Sequence, residues 1–290
     1  MAYRFMREKK NQYTIKEMAG LLGVSCGAYY KWARNGVSQR RQQADAELVR
    51  LIKAIVEKHF KRYGSPRVRQ ELIKLGIRVS LKKVARLMRE NGLNARKKRK
   101  YIRTTDSRHS FHVFENILNR DFHAEKPGWK WVSDITYLRT YEGWLYLTAV
   151  VDLYDRKVIG WSFSEGMEAE ETTIPAFEMA VKNRAPSAGL LFHSDRGVQY
   201  CAQNFRVVLE KHCPSVRQSM SRKGNVWDNA CMESFFKTLK WELDKLEGKH
   251  SKTEVRQSIF MYIETYYNRI RLHSALDYVA PNELYLEKVA

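Results

Sequence analysis

The segment Trp131–Leu138 reads Trp-Val-Ser-Asp-Ile-Thr-Tyr-Leu and decides the fold of the larger part of this 290-residue chain. Its aromatic and β-branched residues favour a strand. Asp134 interrupts this otherwise apolar strand, and an ionised carboxylate there is costly unless it is paired or binds a cation. The segment therefore predicts a buried strand that carries a functional acid.

Further strands and helices alternate on the C-terminal side of this segment. We predict strands at Trp144–Asp152, Lys157–Phe163, Gly189–Asp195 and Ser215–Met220, and helices over residues 168–183, 203–212 and 229–246. The resulting order is three strands, helix, strand, helix, strand, helix. This order is typical of an α/β domain.

Three carboxylates form a candidate catalytic site. Asp195 lies at the end of a predicted strand, where the sites of α/β proteins usually form. If that strand neighbours the Asp134 strand, the two like charges need a divalent cation between them, or one acid must protonate. Glu233, on the following helix, could complete an oxygen-rich site suited to Mg²⁺ or Mn²⁺. Two such ions can activate a hydroxyl nucleophile and stabilise the leaving oxygen of a phosphodiester.

The charge of the chain is concentrated in its first third. The formal net charge is +20, and residues 1–100, with 27 Lys and Arg against 7 Asp and Glu, account for all of it. Such a segment favours a polyanionic partner, either nucleic acid or an anionic membrane face. The sequence has no apolar run near the length of a spanning helix and no apolar signal region at Met1–Lys10. Four widely spaced cysteines argue against a disulfide framework and against a structural zinc site, and they fit a reducing cytoplasm.

Two helical pairs are predicted within this basic third. Thr14 and Glu17 have capping-box spacing before one helix, and Ser25 can cap a second helix beyond the turn at Gly23. This pattern indicates either a DNA-binding helix-turn-helix or a plain helical hairpin, and the flanking charge favours DNA. Residues 65–88 repeat the design around a turn at Gly76. The second of these helices carries candidate DNA-binding residues, which are Lys82, Lys83 and Arg86, and the alternative is a solvated charged face.

A basic run ends this region. Arg96, Lys97, Lys98, Arg99 and Lys100 form either a linker or an arm that lies along the DNA backbone or in a minor groove. We predict five parts of the chain: helix-turn-helix modules over residues 1–44 and 45–100, a linker over 101–125, a catalytic core over 126–246 and a helical extension over 247–290.

Several sequence motifs resemble those of one known family. Trp131-x-x-Asp-Ile-Thr-Tyr, His193-Ser-Asp-Arg-Gly-x-Gln-Tyr200 and Asp228-Asn-Ala-x-x-Glu-Ser-Phe235 closely resemble the catalytic core of insertion-sequence transposases of the second-frame (OrfB) type. In that group two reading frames overlap, and the second encodes a retroviral-integrase-like domain. Tyr266-Tyr-Asn-x-x-Arg-x-His273 resembles the C-terminal signature of the group, and the resemblance covers nearly the whole chain.

The resemblance implies a ribonuclease-H-like α/β core with carboxylates of the Asp-Asp-Glu type, which by motif match are Asp134, Asp195 and Glu233. Lys240 matches a basic residue found seven positions after the glutamate in this group. The family also implies copy-out–paste-in transposition through a circular intermediate. It further implies fusion by frameshifting to a first-frame protein that supplies end recognition and multimerisation.

One spacing departs from the family pattern. Between Asp195 and Glu233 lie 37 residues, where the family usually has 35, and the extra two fall around Cys213–Ser215. Asp228 is the alternative third ligand, although as the residue before Asn-Ala it is expected to cap the helix that presents Glu233.

Other polar residues have two interpretations each. Asp152 is either an acid near the site or, as we favour, a strand-end acid bonded to the turn at Asp155–Arg156. His193 either orients Asp195, contacts DNA or is a satisfied neighbour of the site. Arg222 and Lys223 lie in a glycine-containing loop near the site, where contact with DNA is expected.

The sequence therefore predicts a cytoplasmic transposase that cleaves and joins DNA strands with Mg²⁺ or Mn²⁺, two ions in all. Its expected partners are DNA, further copies of itself and a first-frame protein; neither a membrane nor a small-molecule substrate is expected. A metal nuclease that cuts without joining and a non-enzymatic DNA-binding regulator are the alternatives.

Overall fold

The computed structural model of the protein describes residues 1–35, 39–95, 112–243 and 248–289. The chain divides into two compact units, Met1–Arg96 and Lys97–Ala290. Each unit has its own buried residues. The predicted DNA-binding residues Arg96 to Lys100 and residues 101–111 of the predicted linker lie outside the described residues.

The N-terminal unit is helical. Its helices are α1 (Ala2–Lys9), α2 (Ile15–Leu21), α3 (Cys26–Asn35), α4 (Gln39–Lys58), α5 (Ser65–Lys74) and α6 (Leu81–Glu90). The first predicted helical pair is α2 and α3, and the Thr14–Glu17 capping box is present. Met18 and Tyr29 of this pair pack with Met6 of α1 in a small core. The sequence did not predict α1, whose single buried residue gives little periodic signal.

The second predicted pair is α5 and α6. Gly76 between them has a φ of 79°, which only glycine adopts readily, and the Ser80 side chain accepts a hydrogen bond from Lys83 N to cap α6. Helix α4 passes without interruption through residues 44 and 45, where the predicted boundary between the two modules lies. The apolar side of α4, with Ile52 and Val56 buried, was missed.

The C-terminal unit is built on a five-stranded mixed sheet. Its strands are β1 (Lys130–Thr140), β2 (Gly143–Asp152), β3 (Val158–Ser164), β4 (Leu191–Ser194) and β5 (Arg217–Met220). Its helices are α7 (Thr173–Asn183), α8 (Val198–Cys201), α9 (Gln203–His212), α10 (Ala230–Glu242), α11 (Lys252–Met261) and α12 (Pro281–Val289). The strand order is β3-β2-β1-β4-β5. Strand β2 pairs antiparallel with β1 and with β3, and β4 pairs parallel with β1 and with β5. All five predicted strands are confirmed.

Two rows of residues across the sheet show how its faces are used. Ser133, Val150 and Gly160 are paired across β1, β2 and β3 and point to the face covered by α7. Asp134, Ala149 and Trp161 form the adjacent row and therefore point to the opposite face. Helix α10 contacts β1, and the Trp161 indole donates to Glu264 beyond α11. Asp134 thus shares its face with the C-terminal helices.

Gly160 marks the closest approach of α7 to the sheet. A Cβ at this position would collide with the Ala176 carbonyl oxygen and lie 2.7 Å from Ala180 N. We expect Gly160→Ala to lower the free energy of unfolding by about 3 kcal/mol, because backbone on both sides must move. Urea unfolding measures this. Gly20→Ala, a helical position with open space around it, is the control and should be neutral or stabilising; equal stability of the Gly160 variant and wild type would contradict the prediction.

Part of the predicted linker belongs to this unit instead. The backbone N–H groups of Ile117 and Leu118 donate to the Ser219 hydroxyl at 2.9 and 3.1 Å, and Met220 N donates to the Glu115 carbonyl. Leu118 is only 2% exposed. Residues 115–118 therefore lie along β5, which corrects the predicted linker over 101–125 at its C-terminal end.

The C-terminal extension packs on the sheet as a continuous element. Helix α11 begins at a capping box formed by Ser251 and Glu254 and continues into a π-helical segment, Tyr262–Tyr267. Val255, Ile259, Ile263 and Tyr266 of this element are all buried. The Asn268 amide then donates to Val158 O and accepts from Val158 N at the outer edge of β3.

A buried ion pair ties this extension to α10. Arg271 donates to both carboxylate oxygens of Glu242 at 2.7 to 3.0 Å, and the Tyr262 hydroxyl donates to the same carboxylate at 2.8 Å. All three side chains are at most 4% exposed. The C-terminal signature therefore holds the end of α10.

The four cysteines are free thiols. Within the described ranges, which omit residues 36–38, 96–111, 244–247 and 290, no helix is long and apolar enough to span a membrane.

Candidate active site

Parallel pairing of β1 with β4 brings two of the predicted acids together. The last registered pair is Val132 with His193. Two residues later follow Asp134 within β1 and Asp195 directly after the end of β4. Asp134 Oδ1 accepts the N–H of Ile135 at 2.8 Å, and Asp195 Oδ1 accepts the N–H of Gly197 at 2.9 Å. The condition stated for the two acids, that their strands are neighbours, is therefore met.

A buried hydrogen-bond network beneath these acids joins the three segments that carry the predicted site. The Ser133 hydroxyl donates to the Ala149 carbonyl at 3.0 Å, so the Tyr200 hydroxyl, 2.7 Å away, donates to Ser133. Asn229 Nδ2 donates to the Ser133 carbonyl at 3.0 Å. Ser133 precedes Asp134, Tyr200 follows Asp195 by five residues, and Asn229 precedes Glu233 by four. Ser133 therefore fixes the relative positions of all three segments.

Helix α10 lies along β1 and presents Glu233. Asn229, its N-cap residue, binds the strand at Ser133, and Lys240 Nζ in its last turn donates to the Tyr137 carbonyl at 2.9 Å. These two bonds lie on either side of Asp134 in the strand. Glu233 is in the first turn of α10 and is exposed.

The electrostatics of Asp134 reflect the neighbouring acids. Part of the residue reaches the surface, but the carboxylate is surrounded by protein, and this burial raises its pKa well above the ordinary value. The charges of Asp195 and Glu233 raise the pKa of Asp134 further, and Lys240 only partly opposes them. Burial and the charges of Asp134 and Asp195 likewise raise the pKa of Tyr200. Asp134, Asp195 and Glu233 therefore interact electrostatically in one region.

The donor set suits a hard divalent cation. The three carboxylates supply oxygen ligands alone. Burial disfavours the ionised form of one of them, Asp134, and a bound cation would remove that free-energy cost. Among the described residues, no three acidic, histidine or cysteine side chains are arranged as a complete metal-ligand cluster. The chemistry of the three acids fits Mg²⁺ or Mn²⁺.

Lys240 lies beside Asp134 and is largely buried. Burial lowers its pKa to about 8, and the charge of Asp134 opposes this shift. Its ammonium group donates to a β1 carbonyl in this state. The ammonium group that was predicted to contact DNA therefore lies against β1, directly next to the candidate site.

His193 is a structural residue on β4. Its Nδ1 lies 2.9 Å from the Ser219 hydroxyl and its Nε2 lies 3.3 Å from that of Ser221, so it connects β4 to β5 and the chain after it. Burial lowers its pKa to about 4, which keeps the ring neutral at neutral pH. Of the predicted alternatives, the satisfied neighbour of the site is the one that these contacts support.

The prediction that Asp228 caps α10 is wrong. The N-cap residue is Asn229, and Asp228 lies in the preceding 3-10 turn, Val226–Asn229. Its buried carboxylate accepts hydrogen bonds from Arg222 N, from the Arg222 guanidinium and from Arg120 Nε, at 2.7 to 3.0 Å. The Arg222 contacts are the largest cause that holds the pKa of Asp228 well below its usual range. A carboxylate so fully bonded is poorly placed to act as the third metal ligand.

Asp152 also lies away from the candidate site. It accepts from Tyr154 N in the following turn, as we favoured, and additionally from Gly128 N and the Trp131 indole. Arg184 pairs with it at 2.8 Å and bridges to Asp155 at 2.6 Å. This ion-pair network, formed over long sequence separations, was not predicted.

The predicted DNA-binding residues have different surroundings. Lys82 and Lys223 are exposed. Lys83 and Arg86 both pair with Asp45 of α4, at 2.7 and 2.8 Å, so part of the charge on the α6 surface is compensated within the N-terminal unit. Arg222 pairs with Asp228 and remains about half exposed.

Ser133 offers a direct test of the network beneath the acids. We expect Ser133→Ala to lower the free energy of unfolding by about 1–3 kcal/mol, because it leaves the Tyr200 hydroxyl and the Ala149 carbonyl buried without their partner. Tyr200→Phe should cost less, since Ser133 keeps its bond to Ala149. The double variant should be more stable than Ser133→Ala alone in urea unfolding. A double variant that loses the sum of both costs would contradict this network.

Family models match parts of both units of the chain. The family model of the HTH-like domain matches residues 42–101, and two family models of the integrase core domain match residues 124–226 and 214–281. Among solved structures, the HTLV-2 integrase catalytic core domain in complex with magnesium is 18% identical. The match covers 56% of this chain and 98% of that chain, with a TM-score of 0.40.

Relatives of known description match over nearly the full length. Transposase InsF for insertion sequence IS3A of Escherichia coli K12 is 40% identical over 290 residues, which cover 98% of both chains. Transposase InsF for insertion sequence IS3fB of the same organism is 39% identical over the whole of both chains. The insertion element IS600 uncharacterized 31 kDa protein of Shigella sonnei is 41% identical over 91% of this chain and 96% of that protein.

These matches confirm the predicted succession of a helical HTH-like region, a ribonuclease-H-like integrase core and a helical C-terminal end. With a full-length identity of 40% to named transposases, the chain belongs to the family of insertion-sequence transposases represented by IS3 and is a transposase with an integrase core domain.

Proposed function

We propose that this transposase cleaves and joins DNA strands at a site formed by Asp134, Asp195 and Glu233, all three serving as ligands of two Mg²⁺ or Mn²⁺ ions. The observation that carries the proposal is the parallel pairing of β1 with β4, which brings Asp134 and Asp195 together on a sheet that α10 contacts with Glu233 in its first turn. Burial raises the pKa of Asp134, and repulsion by the charges of Asp195 and Glu233 raises it further. When bound, the cations neutralise this repulsion and stabilise charge on the attacking and leaving oxygens of a phosphodiester.

The reaction consists of two in-line displacements at phosphorus. In cleavage, water attacks the phosphodiester at the element's end and the 3′-hydroxyl leaves with the bonding electron pair and a proton. In strand transfer, that hydroxyl attacks a target phosphodiester and displaces the target's own 3′-oxygen. The protein's part is to hold the strand and the three carboxylates in place, which supports catalysis by positioning. The Ser133 network and the two α10 bonds to β1 supply that rigidity.

The helical N-terminal unit is proposed to position the element's end on the enzyme. Its excess of positive charge and its match to the HTH-like domain support this role. Deletion of residues 1–100 should therefore remove most of the salt-sensitive DNA affinity, measured by fluorescence anisotropy at several salt concentrations. Unchanged affinity of the truncated chain would refute this assignment.

The activity is tested with a labelled DNA end, a target plasmid and Mg²⁺. The proposal predicts both a cleaved end and a product joined to the plasmid. Cleavage without joining would favour a nuclease, and binding without cleavage would favour a regulator. Wild type and Asp134→Asn behaving alike would refute the assigned site.

We further propose copy-out–paste-in transposition through a circular intermediate, with the chain acting as a homo-oligomer in the bacterial cytoplasm and together with a first-frame protein, either fused or separate. The relationship to IS3 transposases supports this pathway. Amplification across the joined element ends should detect circles in cells that express wild type and none with Asp134→Asn. Double-strand excision that leaves an empty donor, without circles, would contradict the pathway.

A further inference from the structure

Asp228 holds two arginines that come from distant parts of the chain. We propose that Arg120 and Arg222, fixed by Asp228, form a binding site for one backbone phosphate of the DNA strand that enters the candidate active site. The inference rests on the proposed function and extends it, because it names a contact for the substrate. These three residues are called the Asp228 cluster below.

The Asp228 cluster is rigid. Arg222 donates to Asp228 Oδ2 from its backbone N–H and from Nε, at 3.0 and 2.8 Å, and to Oδ1 from its terminal nitrogen at 2.7 Å. Arg120 donates from Nε to Oδ1 at 2.9 Å. Two planar guanidinium groups are therefore held in fixed orientations by one carboxylate, which reduces the entropy lost when a further anion binds.

The charge balance of the cluster favours an additional anion. One carboxylate faces two guanidinium groups, so the cluster carries an excess positive charge. The Asp228 side chain is fully buried, whereas those of Arg120 and Arg222 are 45% and 49% exposed. Each guanidinium has five N–H groups, of which Asp228 takes two from Arg222 and one from Arg120. The remaining groups can reach phosphate oxygens, the ligand whose geometry arginine matches best.

The chain geometry places the cluster next to the three acids. Ser221 N donates to the Ser194 carbonyl, which places the two chains side by side at this point. Asp195 is the next residue after Ser194, and Arg222 is the next residue after Ser221. Asp228 precedes Glu233 by five residues, on the turn that leads into α10. Arg120 reaches the cluster because the preceding residues 117 and 118 are bonded to Ser219 of β5. A strand bound between the three acids would therefore carry a neighbouring phosphate past both arginines.

Anisotropy measurements on the full chain test this inference, with Ca²⁺ replacing Mg²⁺. The probes are duplexes with the element's terminal inverted repeat, in which single phosphates near the cleavage position are replaced by neutral methylphosphonates. We expect Arg120→Gln and Arg222→Gln each to weaken binding about fivefold to tenfold and to reduce the salt slope by about 1. One methylphosphonate should weaken wild type by a similar factor but leave the double arginine variant unaffected.

Controls separate a phosphate contact from a structural role. Arg256, about 40% exposed and sharing Glu165 with Lys252, is the matched arginine outside the Asp228 cluster, and Arg256→Gln should bind DNA like wild type. If the glutamine variants fail to fold, Arg120→Lys and Arg222→Lys replace them in the test. These variants keep the positive charge and should retain the dependence of DNA affinity on salt concentration. If the loss of DNA affinity from the arginine substitutions and the loss from a methylphosphonate are independent at every phosphate tested, the inference is overturned. Arginine variants that lose thermal stability but no DNA affinity would also overturn it. Failure of wild type to join DNA, with this coupling intact, would refute the proposed function alone.

Discussion

Asp134→Asn should lose strand cleavage and strand transfer by at least about a thousandfold, since a metal ligand contributes several kcal/mol to transition-state stabilisation. The same variant should be more stable than wild type in the absence of divalent cations. Burial and the charges of Asp195 and Glu233 disfavour ionisation of Asp134, and an uncharged amide of the same shape relieves that cost. Loss of activity together with a gain in melting temperature distinguishes a ligand from a residue needed for folding.

The stability gain should depend on pH. The pKa of Asp134 is raised in the folded protein. The contribution of Asp134 to the free energy of unfolding is therefore fully present below the pKa of an aspartate in the unfolded chain, about 4. It is lost as the pH rises through the pKa of Asp134 in the folded protein. The gain in stability of Asp134→Asn over wild type should therefore be absent at the acidic end of this pH range and should grow as the pH rises. Calorimetric melting with EDTA measures it, and adding Mg²⁺ should raise the melting temperature of wild type more than that of the variant.

Asp152→Asn is the matched control, because Asp152 is also a buried strand acid with a pKa raised by burial. Its carboxylate, unlike that of Asp134, pairs with Arg184 and accepts three further hydrogen bonds. The control should therefore melt at a lower temperature than wild type. If both variants shift the melting temperature in the same direction, the assigned difference between the two acids is wrong.

Arg271→Ala should lower the free energy of unfolding by about 3–5 kcal/mol, the cost of leaving a buried charge without its partner. The charge left behind is Glu242, which is 1% exposed and whose carboxylate accepts from Arg271 and Tyr262. Urea unfolding at neutral pH measures the change. Since Glu242 is the last residue of α10, protein that remains folded should also show reduced strand transfer.

The double variant Glu242→Leu with Arg271→Met is the control for this prediction. It removes both charges and fills a similar volume, so it should recover much of the stability that Arg271→Ala loses. An Arg271→Ala variant as stable as wild type would show that the ion pair does not hold the C-terminal extension on α10.

The sequence predicted the elements whose signals are local. All five strands were predicted, four of them from their apolar and β-branched residues, and Asp195 lies directly after its strand. The sequence could not predict contacts that close only in the folded chain. Arg271 meets Glu242 across 29 residues, and Arg120 meets Asp228 across 108, and no spacing rule connects either pair.

The sequence also did not show which basic residues are paired within the fold. Lys83 and Arg86, predicted from the basic face of their helix, and Arg222, predicted from its loop near the site, each pair with an acid in the folded protein. A count of charges along the sequence does not show which of them are compensated in space. Lys240 was predicted by family resemblance. Only the fold shows that its side chain lies against β1 beside Asp134.

The treatment of the sheet edges has a consequence for assembly. Along β3, the peptide groups from Val158 to Trp161 are bonded by the side chains of Asn268, Asn183 and Met179. On the other side, residues 115–118 lie along β5. Among the described residues, these stretches of the two edges therefore offer no free row of amides to a strand from another molecule, which protects the protein from aggregation by strand addition there. Any higher-order assembly on DNA must then be built from helices and loops, which can separate again once the strands have been joined.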